Sequence, residues 1–165
     1  MDVTIKGQHF DRDQKILMVD LARWCGNKLL GPRINKNVEL LIRIVNPKTI
    51  GINRTYGTSE VHHDDERRYP RSFIITTTNY YGTLRTLMIV AHEMLHVKQY
   101  ALRELTYCGR TGSARWQGKL IDENIVDYWD LPWEIEAYGR EKGLVYQWAQ
   151  DRGHDTTAKW HKELF

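Results

Sequence analysis

Residues 92–96 read His-Glu-Met-Leu-His, inside the stretch RTLMIVAHEMLHVKQYALREL. On a helix, positions i and i+4 share one face, one turn apart. Two imidazoles so placed can converge on one Zn²⁺, at about 2.0–2.1 Å each. Glu93 follows about 100° further round the helix. It reaches water at the metal rather than the metal itself. Zinc brings the pKa of such water to about 7, and a neighbouring carboxylate takes its proton. The chemistry these residue types offer at this spacing is metal-assisted hydrolysis.

The flanking residues strengthen that reading. Met88, Ile89, Val90 and Ala91 precede the pattern, and Leu95 and Val97 interleave with it. A helix that is apolar on most sides is buried. Two imidazoles and a carboxylate buried without partners are costly, and a metal ion answers the cost. The competing account has each histidine bonded to a backbone carbonyl and Glu93 paired with an arginine.

A catalytic zinc needs a third protein ligand and an open fourth position. No glycine-histidine continuation follows His96, which excludes the metzincin arrangement. His154 and His161 lie far downstream in a polar tail. The segment LPWEIEAYGRE supplies Glu134 and Glu136 at the start of a second helix. Glu134 has the small Ala137 on its own face, as a ligand packed against another helix requires. Glu136 has Arg140 at i+4, an ordinary surface pair. Glu134 is therefore the preferred third ligand and Glu136 the alternative.

With His92, Glu93, His96 and a later helical glutamate in place, the chain resembles the gluzincin metallopeptidases. Glu134-Ile-Glu-Ala137 matches their third-ligand motif through its small residue. Tyr138 departs from it, because an acid normally stands there to orient a histidine ligand. The segments AHEMLHVKQY, RWQGK and YWDLPWEIEAYGRE resemble small phage and bacterial metallopeptidases of the minigluzincin and SprT-like kind. The resemblance covers roughly residues 60–145. It implies a zincin-like α+β domain, a small twisted mixed sheet packed on the HExxH helix, and one Zn²⁺ held by His92, His96 and Glu134. It implies a peptide or protein substrate, with Glu93 as general base and an oxyanion-stabilising Tyr or His. It also implies that the strand before the HExxH helix aligns the substrate, which here means Phe73, Ile74, Ile75 and Thr76.

Several elements must position these residues. Residues 11–30 read as a helix stopped by Gly31-Pro32, with Asp11 or Asp13 as cap. VELLIRIV, residues 38–45, reads as a strand, and residues 50–61 as a second, more polar one. HHDDERRYPR reads as a solvated loop, so its adjacent His62 and His63 are expected at the surface. SFIITTT, residues 72–78, reads as a strand lying on a sheet edge. The metal helix should run over 83–105, capped by Thr83 and closed by Cys108-Gly109. RWQGKL suggests a strand. The second ligand helix runs from Leu131-Pro132 to about Arg152, and the tail adds a short helix. Helix, strands, helix, hairpin and helix make one α+β domain over residues 1–165.

Composition bounds the function classes. With 165 residues, 41% hydrophobic and 27% charged, the chain has enough apolar material for one globular core. No apolar run has the length of a membrane span, and MDVTIKGQHFDRDQK lacks a signal-peptide core, so no membrane partner and a cytoplasmic location are expected. Cys25 and Cys108 are too far apart in sequence for a CxxC site and are expected as small buried or half-buried residues. A net charge of +3 gives weak support for a nucleic-acid partner, resting on Arg67-Arg68-Arg71 and Lys159-Lys162. Trp116, Trp129, Trp133 and Trp148 read as packing residues, with Trp133 the one placed to wall a cleft.

Overall fold

A computed structural model describes residues 1–7, 12–46, 57–78, 81–108 and 112–154. The architecture is α+β. Strand β1 (Asp2–Lys6) leads into helix α1 (Arg12–Asn35) and strand β2 (Glu39–Val45). Strands β3 (Gly57–Val61) and β4 (Ser72–Thr78) precede helix α2 (Thr83–Ala101). Short strands β5 (Leu105–Tyr107), β6 (Ser113–Trp116) and β7 (Lys119–Asp122) follow, then a single 3₁₀ turn (Tyr128–Asp130) and helix α3 (Pro132–Asp151).

The main sheet has the order β1-β2-β4-β3. β1, β2 and β4 run parallel, with Ile42 opposite Ile75, and β3 pairs antiparallel to β4, with Ser59 opposite Ile75. The sequence pattern explains this order. β2 buries Leu40, Ile42 and Ile44 at period two, whereas β4 buries Phe73, Ile74 and Ile75 in succession. A strand apolar on both faces belongs inside a sheet. The expectation that residues 72–78 lie at an edge is therefore corrected: both sides of β4 are paired, and among the described residues the edge strand next to it is the more polar β3.

The core forms where α1, α2 and α3 pack on β1, β2 and β4. Met18, Leu21 and Cys25 of α1 meet Leu87, Val90, Ala91, Met94 and Leu95 of α2 and Leu144, Val145 and Trp148 of α3. Two indoles tie α1 to α3 at the core's rim. Trp24 Nε1 donates to Asp151 Oδ2 at 2.8 Å, and Trp148 Nε1 donates to Asp20 Oδ2 at 2.8 Å. Asp20 also accepts from Arg152 Nε at 2.7 Å, and this guanidinium holds the Asp20 carboxyl below its usual pKa against the opposing effect of burial.

Other boundaries shift for local reasons. Gly31 (φ 70°) breaks α1 as expected, but Pro32 starts one further turn, a position proline tolerates. Thr83 is the first residue of α2 rather than its cap, and its hydroxyl accepts from Gln14 Nε2 at 2.8 Å. α2 ends at Ala101, earlier than 105. Glu104 N donates to Gln99 O at 2.8 Å and Arg103 N to Tyr100 O at 3.0 Å, around an Arg103 at φ 58°. This is a Schellman closure with arginine where glycine is usual, so the sequence carries no glycine signal for it. RWQGKL is two strands, not one. Gln117 (φ 48°) and Gly118 (φ 85°) form a two-residue turn of the I′ type between β6 and β7. The tail helix expected after residue 154 lies outside the described residues.

The small sheet β5-β6-β7 has its own apolar contact zone, where Leu105 and Ala114 pack with Leu131 and Trp133. Trp133 is 1% exposed, so this zone fixes the first turn of α3 and with it Glu134. Trp148 is buried to the same extent. Trp133 is thus a buried anchor, and Trp129 is the tryptophan that reaches the cleft. Among the described residues no helix is long and apolar enough to cross a membrane. Cys25 is buried, which pushes its thiol pKa up, and Cys108 is half-buried.

Candidate metal centre

His92, Glu93 and His96 sit in the middle of α2 and are all buried. Glu134, in the first turn of α3, is buried beside them. The two histidines present their Nε2 atoms to each other at 3.2 Å. Glu134 closes a triangle, with Oε2 at 3.4 Å from His92 Nε2 and Oε1 at 3.5 Å from His96 Nε2. Ligands about 2.0–2.1 Å from a tetrahedral centre stand about 3.3–3.4 Å apart. The Nε2–Nε2 distance and the two Nε2–oxygen distances, one to each oxygen of the Glu134 carboxylate, lie close to that edge length.

The outer faces of both rings are also engaged. His92 Nδ1 lies 2.8 Å from Glu141 Oε2, and His96 Nδ1 lies 2.8 Å from Gln99 Oε1. Carboxylate and amide oxygens only accept, so both Nδ1 atoms carry protons. In the neutral rings both Nε2 lone pairs then point inward, towards a carboxylate. Three electron-pair donors converging on one point call for a cation. These bonds go to side chains, not to the backbone carbonyls of the competing account. The acid that the sequence lacks at position 138 is supplied one turn later by Glu141.

Electrostatics agree with the geometry. Burial opposes the charged form of His92, but Glu134 and Glu141 outweigh it and raise its pKa to about 9. His96 shifts upward for a similar reason, burial being outweighed mainly by Glu134. Burial likewise opposes ionisation of Glu134, and the two histidines outweigh it to bring the carboxyl to about 2. Without a metal, protons answer the same concentration of acceptors. Glu93 is different: burial raises its pKa, and His96, His92 and Ser59 offset that only in part.

A cleft of about 570 Å³ opens over these residues. Gly57, Thr58 and Ser59 of β3 form one wall, with Met88 and Ile89 beside them. Gly57 is required by close approach, since a Cβ there would stand 2.5 Å from Ile89 Cγ2 and 3.1 Å from Glu93 Oε1. Tyr128, Trp129 and Tyr138 line it as well. Tyr128 Oη donates to Glu134 Oε2 at 2.8 Å, and the Tyr138 ring meets the His92 ring edge-on at 4.5 Å. Trp129 lies 5.1 Å from Tyr138, and its 3₁₀ turn is capped by Asp127, which accepts from Trp129 N at 3.0 Å. Trp129 is 65% exposed.

The remaining sequence candidates fall elsewhere. Glu136 points away from the triangle: it accepts from Lys98 Nζ and Arg140 Nη1, both at 2.8 Å, so it is not the third donor. Phe73, Ile74, Ile75 and Thr76 lie inside the sheet, separated from the cleft by β3. The His154 ring lies tilted against Trp148, 4.9 Å between centroids, and His161 lies outside the described residues. His62, His63 and Asp64 form a second group with ligand atoms within 4.8 Å of one another, in the turn after β3. His63 and Asp64 are largely exposed, and their side chains pair with each other at 3.1 Å. Of the basic cluster, Arg67 is held by Asp65 at 2.6 Å and Arg71 donates to the carbonyls of Pro70 and Ala101. Lys159 and Lys162 lie outside the described residues.

Sequence reasoning did not find Gln99 or Glu141. Gln99 is His96+3, on the face of the ligand it serves, and Glu141 is Glu134+7, on the helix face that Glu134 presents to His92.

Compared with protein-family models, with curated proteins and with solved structures, the chain matches none.

Proposed function

We propose that the chain is a zinc-dependent endopeptidase of the gluzincin type, with His92, His96 and Glu134 as ligands and Glu93 as general base. The convergence of three donors at tetrahedral spacing, next to a buried carboxylate, carries this reading. Bound zinc supplies Lewis acidity, which polarises a carbonyl and acidifies water. Glu93 takes a proton from the attacking water and delivers it to the leaving amine nitrogen, ending in its starting state. Glu141 and Gln99 hold the two rings in the tautomer that leaves Nε2 free. Tyr128 and Tyr138 stay protonated, because burial holds both phenols above their usual pKa, with Glu134 adding to it. They are hydrogen-bond donors at the cleft.

The substrate is an extended polypeptide segment. Among the described residues β3 is the edge strand, it borders the cleft at Gly57–Ser59, and an extended peptide can add to such an edge through backbone hydrogen bonds. Trp129, exposed in the cleft lining, offers an apolar surface for a substrate side chain.

The test is cleavage of an unfolded protein and of a peptide library by the zinc-loaded protein and its Glu93→Gln variant. The proposal expects cleavage by the former and a loss of about 10²–10⁴-fold in the latter, with zinc still bound. A zinc-loaded protein that cleaves nothing, or a Glu93→Gln variant as active as its parent, contradicts it.

A further inference from the structure

Gln99 is fully buried, and the two ends of its amide have different partners. Nε2 donates to the Trp133 carbonyl at 3.1 Å and to Glu136 Oε2 at 3.0 Å. Both partners are acceptors only, so chemistry assigns the amide nitrogen to that side. Oε1 then faces His96 Nδ1, which must carry the proton. The lone pair of His96 is thereby left at Nε2, where the triangle of donors needs it.

Glu136 is held in turn. Lys98 Nζ and Arg140 Nη1 both bond its Oε1 at 2.8 Å, which leaves Oε2 for Gln99. Lys98 also pairs with Glu104 Oε2 at 2.6 Å, so the cation is fixed from two sides. A chain of contacts runs from two cations through Glu136 and Gln99 to the outer nitrogen of His96.

We infer that Glu136 is a positioning residue of the metal centre, setting the tautomer of His96 through the orientation of the Gln99 amide. This rests on the metal-binding reading above. The consequence is unusual. In Glu136→Gln the shape is kept, but Lys98 and Arg140 both claim the single amide oxygen. The new NH₂ then faces the NH₂ of Gln99, donor against donor. Rotating the Gln99 amide relieves this contact, at the cost of its bond to the Trp133 carbonyl, and turns its NH₂ toward His96 Nδ1. That nitrogen must then accept, and its proton moves to Nε2, on the lone pair a metal would use. Truncation in Glu136→Ala presents no such donor, and the Trp133 carbonyl still holds the Gln99 amide.

The experiment is zinc affinity by competition with a chromophoric chelator, for the full chain and for Glu136→Gln, Glu136→Ala, Gln99→Met and the double variant Glu136→Gln/Gln99→Met. Outer partners of metal-bound histidines are worth about 10–100-fold in affinity. Gln99→Met should fall in that range, and Glu136→Gln should weaken zinc by about 10-fold. Glu136→Ala should weaken it less than Glu136→Gln, an order that a merely structural role would reverse. In the Gln99→Met background Glu136→Gln should have no further effect, because its route to His96 is gone. The inference is overturned if Glu136→Gln binds zinc as tightly as the parent, if Ala is worse than Gln, or if the two substitutions are additive. Should Glu136→Ala not fold, the isosteric variant and the double variant still decide. A parent chain that binds no zinc refutes the metal reading itself, a separate result.

Discussion

Glu141 Oε2 lies 2.8 Å from His92 Nδ1, two helical turns after Glu134 along the same helix. α3 therefore brings both a proposed ligand and the group that orients another proposed ligand. Glu141→Ala should weaken zinc binding by about 10–100-fold, read by chelator competition. Glu141→Gln keeps an acceptor at that place and should lose less. Equal affinity in the parent and Glu141→Ala would show that His92 needs no outer partner.

Gly57 keeps the β3 backbone against Glu93. A side chain there collides with Ile89 and crowds the Glu93 carboxylate. Gly57→Ala should lower kcat by about 10-fold or more while zinc stoichiometry stays at the parental value, because the ligands lie on other elements. Unchanged kcat would mean that the edge strand does not set the position of the base.

Trp129 is exposed at the cleft, so truncating it removes little core contact. Trp129→Ala should leave the unfolding free energy within about 0.5 kcal/mol of the parent. It should raise KM for peptides with a bulky apolar residue beside the scissile bond, and leave KM for small-residue peptides unaltered. A uniform change across both peptide sets counts against a role in side-chain recognition.

Asp65 organises the loop between β3 and β4. Its carboxylate accepts from Arg67 Nε at 2.6 Å and from the backbone N–H groups of Arg71 and Ser72 at 2.6 and 2.8 Å. Arg67 foremost, against an opposing contribution from burial, holds its pKa well below the usual aspartate value. A depressed folded-state pKa contributes stability that is fully present above the unfolded value, about 3.9, and is lost as pH falls toward the folded value. Thermal unfolding followed from pH 6 downward should show the parent losing stability below about pH 4, and Asp65→Asn losing less over the same interval. At pH 7, Asp65→Ala should cost on the order of 3 kcal/mol, since buried charge-assisted bonds lose their acceptor. Parallel pH curves for the parent and Asp65→Asn would contradict the assignment.

The centre was legible in the sequence to the extent that helical geometry is local. His92 and His96 share a face by spacing alone, and Arg140 at i+4 separated Glu136 from Glu134. Strand order was not legible in the same way, because it depends on long-range pairing. Even so, Phe73-Ile74-Ile75 in succession carried the mark of an interior strand, and reading it as an edge missed that mark. The polar β3, whose first residue is the glycine that fits beside Glu93, is the edge. Arg103 closes α2 in a conformation that favours glycine, so the helix ran too long in the sequence reading. Gln99 and Glu141 were hidden for another reason. Each reads as a common polar helix residue until the histidine it faces is known.

The most direct test of the central claim is metal content, by elemental analysis of the purified chain beside Glu134→Ala and Glu136→Ala, all dialysed with excess zinc. One equivalent of zinc in the parent and in Glu136→Ala, with loss in Glu134→Ala, is the predicted result. A parent chain that retains no zinc, or a Glu134→Ala variant that holds it as the parent does, would contradict the proposed centre.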